Sequence, residues 1–173
     1  MSKPYRVDFA TNLLEHRALR RGVRLAVDLG SARIGVASCD AGGLLASPLT
    51  TVRRGRGDLA EIARLASERQ AIEIVVGLPT GLSGRAGQAA GQARDFAGAL
   101  ARAVAPTQVR LVDERFTTVM AHAALREGGR DSRERRTVVD QAAAAVLLQG
   151  ALDAERQGGT PVGELVAAGR GGL

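Results

Sequence analysis

"RLAVDLGSARIGVASCD", Arg24–Asp40, sets two apolar runs of strand length on either side of a short link, Gly30–Ser31–Ala32. Leu25, Ala26 and Val27 lead into Asp28, and Ile34 to Ala37 follow Arg33. An apolar run that stops at a glycine reads as a strand, and so short a link reads as an antiparallel hairpin. "GLLASPLTTV", Gly43–Val52, continues as a third strand. Asp28 is the oddity: it ends a buried strand, where an acid without a partner is costly.

Beyond these strands the period changes. Asp58–Gln70 has helical spacing, with Leu59, Ile62, Ala63, Leu65 and Ala66 apolar. "IEIVVGLP", Ile72–Pro79, is a buried strand stopped by Gly77 and Pro79. Gly87–Val104 is a long Ala-rich helix, and "TQVRLVDER", Thr107–Arg115, is the next strand. Thr117–Arg126 reads as a helix with Thr117 or Thr118 as its N-cap, and Ser132–Glu155 as the last long helix. Three meandering strands followed by βαβ units predict an α/β fold. Its sheet is mixed and five-stranded, with helices on both faces, over residues 23–156. Residues 1–22 read as a flexible basic lead-in, with a short helix near Phe9–Leu19, and residues 157–173 as a loose Gly-rich tail.

In open α/β sheets, sites gather beyond the carboxyl ends of the strands. Asp28 ends the first strand, and Asp113 and Glu114 end the fifth. On the last helix, steps of three and four from Asp140 give Ala143, Ala144, Leu147, Leu148 and Ala151. Asp140 therefore lies on the apolar face that should meet the sheet. Three converging acids repel one another. A divalent cation, Mg²⁺ or Mn²⁺, resolves this, because carboxylate oxygens are its preferred ligands. Two such ions about 3.5–4 Å apart activate a water and stabilise the leaving oxygen of a phosphodiester. Each acid also has an ordinary reading: a turn former for Asp28, an ion pair with a neighbouring arginine for Glu114, a helix cap for Asp113, an internal hydrogen bond for Asp140.

The 173 residues carry a formal net charge of +6, almost wholly from arginine, with Lys3 the one lysine. A basic balance favours polyanionic partners, although a coding bias toward Ala, Gly and Arg produces the same composition. Aromatic residues are only 2% and Trp is absent. A nucleic acid would then be gripped by backbone and shape rather than by base stacking. Arg53, Arg54 and Arg56 form one loop cluster, and Arg126, Arg130, Arg133, Arg135 and Arg136 a second; each is either a phosphate rim or a solvated surface. The single Cys39 excludes an internal disulfide, and neither His16 nor His122 joins a zinc or nucleophile pattern. No apolar run approaches the roughly 20 residues of a membrane span. The N-terminus has no secretory pattern, so a cytoplasmic protein is the simplest expectation. Nothing in the sequence marks an oligomeric state.

Four motifs, in one order, carry a family resemblance: "DLGSARIGVA", "IVVGLPTGLSGRAG", "VDERFTTVMA" and "RRTVVDQAAAAVLLQ". Over about Val23–Leu152 the chain resembles the YqgF family, also called RuvX or the Holliday-junction-resolvase-like family. Many of its members are described as nucleases of the 16S rRNA precursor. The resemblance implies an RNase H-like fold and a nuclease that hydrolyses phosphodiester bonds in 5′-end processing of that precursor during ribosome biogenesis. It implies that Asp28, Glu114 and Asp140 are the catalytic, metal-binding acids, with Asp113 a less certain ligand. Arg33, Arg115 and Arg136 would contact phosphates, and Thr117 and Thr118 would hold the strand-to-helix turn or touch the backbone. The implied cofactor is Mg²⁺ or Mn²⁺. The implied partner is structured RNA, pre-ribosomal particles included, with branched DNA as the alternative substrate. Thr80–Gly81 and Met120 depart from the family pattern, and residues 1–22 have no counterpart in its core.

Two rivals come from other classes. "DLGSARIG" also resembles the first phosphate loop of actin/hexokinase-type kinases, but that architecture needs two such domains and this chain has one. A non-catalytic nucleic-acid-binding module is the other, and retention of all three acids speaks against it.

Overall fold

The structure is a computed structural model, which describes residues 19–81, 84–116 and 133–169. Its strands are β1 (Arg24–Leu29), β2 (Arg33–Cys39), β3 (Ala46–Arg53), β4 (Glu73–Leu78), β5 (Gln108–Asp113) and β6 (Glu164–Leu165). They form one sheet in the order β3-β2-β1-β4-β5-β6. β1, β2 and β3 pair antiparallel, β4 and β5 add parallel to β1, and β6 returns antiparallel to β5. The helices are α1 (Asp58–Glu68), α2 (Gly84–Val104) and α3 (Arg133–Gly158), and a 3₁₀ turn, Glu114–Phe116, follows β5.

The meander and the two parallel strands stand as the periodicity predicts. The sheet has six strands rather than five. β6 comes from the segment expected to be a loose tail, and Val166 N–H extends it by donating to Val109 O at 2.8 Å. The edge of β5 presents unpaired backbone groups, and two residues of return strand satisfy them. The expected helices Phe9–Leu19 and Thr117–Arg126 fall almost wholly outside the described residues.

Strand alternation sorts the core into two layers. Leu25, Val27, Ile34, Val36, Ile74, Val76, Val109 and Leu111 face α1 and α2, where Ile62, Leu65, Phe96, Ala97 and Leu100 complete the layer. Ala26, Ala37, Val75 and Val112 face the other way and meet Ala144, Leu147, Leu148, Ala151 and Leu152 of α3. Small residues dominate this second face, so α3 lies close to the sheet. At Gly35 an added Cβ would stand 2.0 Å from the backbone O of Asp140.

The α3 face of the sheet is charged at both ends. At the amino ends of β1 and β4, Arg24 is 1% and Glu73 3% exposed, and Glu155 of α3 is 5% exposed. Arg24 reaches Glu155 at 3.2 Å and Arg110 reaches Glu73 at 2.9 Å. Arg20 bridges the two acids, at 2.8 Å to Glu155 and 3.0 Å to Glu73. Burial pushes the Glu155 carboxyl up, but Arg20 and Arg24 outweigh it and hold it below the usual carboxylate range. A buried acid is tolerable only when paired in this way. Arg20, which lies in the segment expected to be a flexible lead-in, closes this network. Among the described residues no helix is long and apolar enough to cross a membrane.

Candidate active site

β1, β4 and β5 run parallel, so their carboxyl ends share one edge of the sheet. The alternation that points Ala26, Val75 and Val112 at α3 carries two residues on to the same side. It assigns Asp28, Gly77 and Glu114 to the α3 face. Contacts agree. A Cβ on Gly77 would stand 3.2 Å from Leu147 Cδ2, and 3.9 Å from both Asp28 Oδ1 and Glu114 Cγ. Gly77 thus leaves the space in which the two acids approach each other. Asp28 is the register partner of Gly35, whose Cα lies under the backbone of Asp140. The turn of α3 that carries Asp140 is set over the same edge.

Asp140 turns its carboxylate to Arg33, whose Nε–H donates to Oδ2 at 3.2 Å, with both side chains about 30% exposed. Among the described residues, no three Asp, Glu, His or Cys side chains are grouped closely enough to hold a metal ion as they are placed. The donor chemistry nonetheless fits a hard divalent cation, since all three groups are carboxylates. Asp28 and Glu114 approach one space beside Gly77, while Asp140 is paired with Arg33.

Asp113 is committed elsewhere. Its oxygens accept from Thr80 Oγ1 at 2.9 Å, from the Arg115 N–H at 2.8 Å, and from Arg115 Nε and Nη2 at 2.8 and 2.6 Å. The Arg115 guanidinium above all, with Thr80 helping, holds the Asp113 carboxyl down at about 2. Alternation explains the split: Asp113 follows Val109 and Leu111 onto the α1/α2 side, while Glu114 follows Val112 to α3. Arg115, expected on phosphate, folds back on Asp113 while staying 79% exposed. Thr117 and Thr118 lie outside the described residues, and of Arg136 only the helical backbone is described.

Three contributors escaped the sequence reading. Gly35 and Gly77 act through the Cβ they lack, which shows only once α3 and β5 are in place. Thr80, set aside as a family departure, clamps Asp113. The signal within reach was alternation alone, which separates Asp113 from Glu114 on the sequence itself.

A family model described as RuvX, Holliday junction resolvase, matches residues 22–154. A relative from a Nocardioides species is 58% identical over 86% of this chain and 98% of its own length. One from Thermobifida fusca is also 58% identical, over 86% and 98%. One from Streptomyces coelicolor is 53% identical, over 84% and 89%. All three are named as candidate pre-16S rRNA nucleases. Among solved structures, Thermus thermophilus RuvC in complex with a Holliday junction substrate shares the fold, with TM-score 0.52 and 14% identity, covering 82% of this chain and 99% of that one. The architecture is accordingly the RNase H-like one. A model match over most of the length, with relatives more than half identical, shows that this chain belongs to the RuvX family.

Proposed function

We propose that this chain is a divalent-metal-dependent nuclease that hydrolyses phosphodiester bonds in the 16S rRNA precursor. The observation that carries the reading is the convergence of Asp28 and Glu114 beside Gly77, under the turn of α3 that bears Asp140. Asp28, Glu114 and Asp140 would hold the metal; Asp113 is left out of the set. A bound cation would supply a nucleophile at neutral pH and offset the charge that develops on the phosphoryl and leaving oxygens. The chain's own groups do the rest. Asp28 sits near the end of β1, and Glu114 opens the 3₁₀ turn that directly follows β5. Arg33 holds Asp140 aside and is placed to take a phosphate oxygen once Asp140 is released. The Thr80–Asp113–Arg115 clamp fixes the turn from which Glu114 projects.

RNA is preferred over branched DNA because the relatives at 53–58% identity are named for the rRNA precursor, whereas the junction complex is a likeness of fold at 14%. A cytoplasmic location follows from that substrate. The test is one assay with precursor 16S rRNA, single-stranded RNA and a four-way DNA junction, each with Mg²⁺ or Mn²⁺. Wild-type protein should cleave the precursor, and folded Asp28→Asn should not. Equal cleavage by the variant overturns the assignment, and cleavage of the junction alone overturns the substrate.

A further inference from the structure

We infer that the loop Arg53–Gly57 is a rail for the sugar–phosphate backbone of a structured RNA, leading it to the acids; this rests on the nuclease reading above. The first observation is a juxtaposition of like charges. Arg53 is the register partner of Arg33 on the neighbouring strand. Like charges directly opposite each other destabilise a sheet. Asp140 neutralises Arg33, but among the described residues no carboxylate pairs with Arg53, Arg54 or Arg56. Among the described residues most other arginines close on a carboxylate, and those that do not, Arg21, Arg69 and Arg102, stand apart from one another in sequence.

The loop is also anchored, not merely exposed. Arg54 N–H donates to Ala32 O at 3.0 Å, and Arg54 Nη1 to Gly30 O at 2.9 Å. The Arg54 guanidinium lies 5.8 Å from the centre of the Phe96 ring. These contacts tie the loop to the turn that follows Asp28. Asp58, the loop's own acid, accepts from the N–H groups of Gly55 at 2.9 Å and Leu59 at 2.7 Å, so its oxygens face backbone rather than arginine. Gly55 and Gly57, at φ 122° and 92°, have nothing within 4 Å of a Cβ position, which leaves the backbone open to a close approach.

Position supplies the third. Thr51 and Arg53 share the α3 face: Gln141 Nε2 of α3 donates to Thr51 Oγ1 at 3.1 Å. Arg53 is therefore on the side of the sheet that carries Asp28, two strand spacings across and two residues along, roughly 12 Å. Asp28 is level with Gly35 and Thr51, and Arg33 and Arg53 stand two residues further along the same face, toward the loop. The loop has no aromatic residue to stack a base, so its forked guanidinium groups suit phosphate oxygens and carry no sequence preference.

The experiment uses the full chain with Asp28→Asn, so that binding is read without cleavage. Affinity for a structured precursor-rRNA fragment is measured across salt, with and without Arg53→Ser/Arg56→Ser. Two lost phosphate contacts should make the slope of log affinity against log salt shallower by about 1.6, roughly 40-fold in affinity at 0.1 M for lines that converge at 1 M. A second double variant, Arg64→Ser/Arg156→Ser, removes the same charge from arginines already paired with acids, and should leave the slope unchanged. An unchanged slope in the loop variant, or an equal change in the control, overturns the rail. A change seen with a four-way DNA junction and absent with RNA overturns the RNA occupant. Failure of the wild type to cleave RNA while the loop variant still flattens the slope overturns the nuclease reading and leaves the rail standing.

Discussion

Gly35→Ala tests how closely α3 must lie on the sheet. The added methyl would sit 2.0 Å from Asp140 O, 2.5 Å from Asp140 C and 3.1 Å from Gln141 N. Ordinary contact begins near 3.4 Å, so the nearest atoms are about 1.4 Å too close. All three are helix backbone, and no rotamer change relieves them. Either β2 or the Asp140 end of α3 must move, while Leu147, Leu148 and Leu152 hold the rest of the helix down. Overpacking typically costs 1–3 kcal/mol, and a backbone clash belongs near the upper end, about 3 kcal/mol. Catalytic groups tolerate displacements of about 0.5 Å, and 1 Å costs on the order of a hundredfold in rate. Guanidinium denaturation reads the first effect, and cleavage of precursor rRNA by folded protein reads the second. The control is Gly91→Ala in α2, where a Cβ meets nothing within 4 Å. That substitution should stabilise the chain by about 0.5–1 kcal/mol. A Gly35→Ala protein within about 0.5 kcal/mol of wild type, cleaving at the normal rate, would refute the reasoning.

Arg33→Ala releases the Asp140 carboxylate, and calorimetry should find Mn²⁺ bound about two- to five-fold more tightly, the worth of a half-exposed ion pair; unchanged or weaker binding counts against the exchange of partners. Glu155→Ala leaves the buried Arg24 uncompensated and should cost about 3–5 kcal/mol in urea denaturation, with a loss under 1 kcal/mol contradicting the network. Asp113→Asn should lower the Tm most at neutral pH. A carboxyl depressed from 3.8 to about 2 contributes fully above the higher value and loses that contribution as pH falls through the lower. The gap between wild type and variant should therefore close near pH 2, and a gap independent of pH would exclude this role.

The elements that place the acids were legible because each buries one face. Alternation in β1, β4 and β5 and the three-and-four spacing of α3 leave few ways to pack, and they bring Asp28, Glu114 and Asp140 to one edge. β6 was not legible, since two residues carry no period and exist as a strand only because β5 offers an edge. Asp113, read as the less certain ligand, is separated from Glu114 once its side of the sheet is counted. Arg24, Glu73 and Arg110 drew no reading from the sequence, yet each sits in the register of Ala26, Val75 and Val112 and therefore points at α3. Asp140 and Glu155 are fifteen residues apart on one helix face. That spacing sets the second charged site about 22 Å from the first.

Arg20 changes what counts as the end of the domain. A chain trimmed to its first strand would keep every core residue and every acid of the site, and would look complete by any measure of pattern. It would lose the guanidinium that faces two buried carboxylates at once. The damage would surface far from the cut, at the last turns of α3 and the start of β4, where Glu155 would be left with Arg24 alone and Glu73 with Arg110 alone.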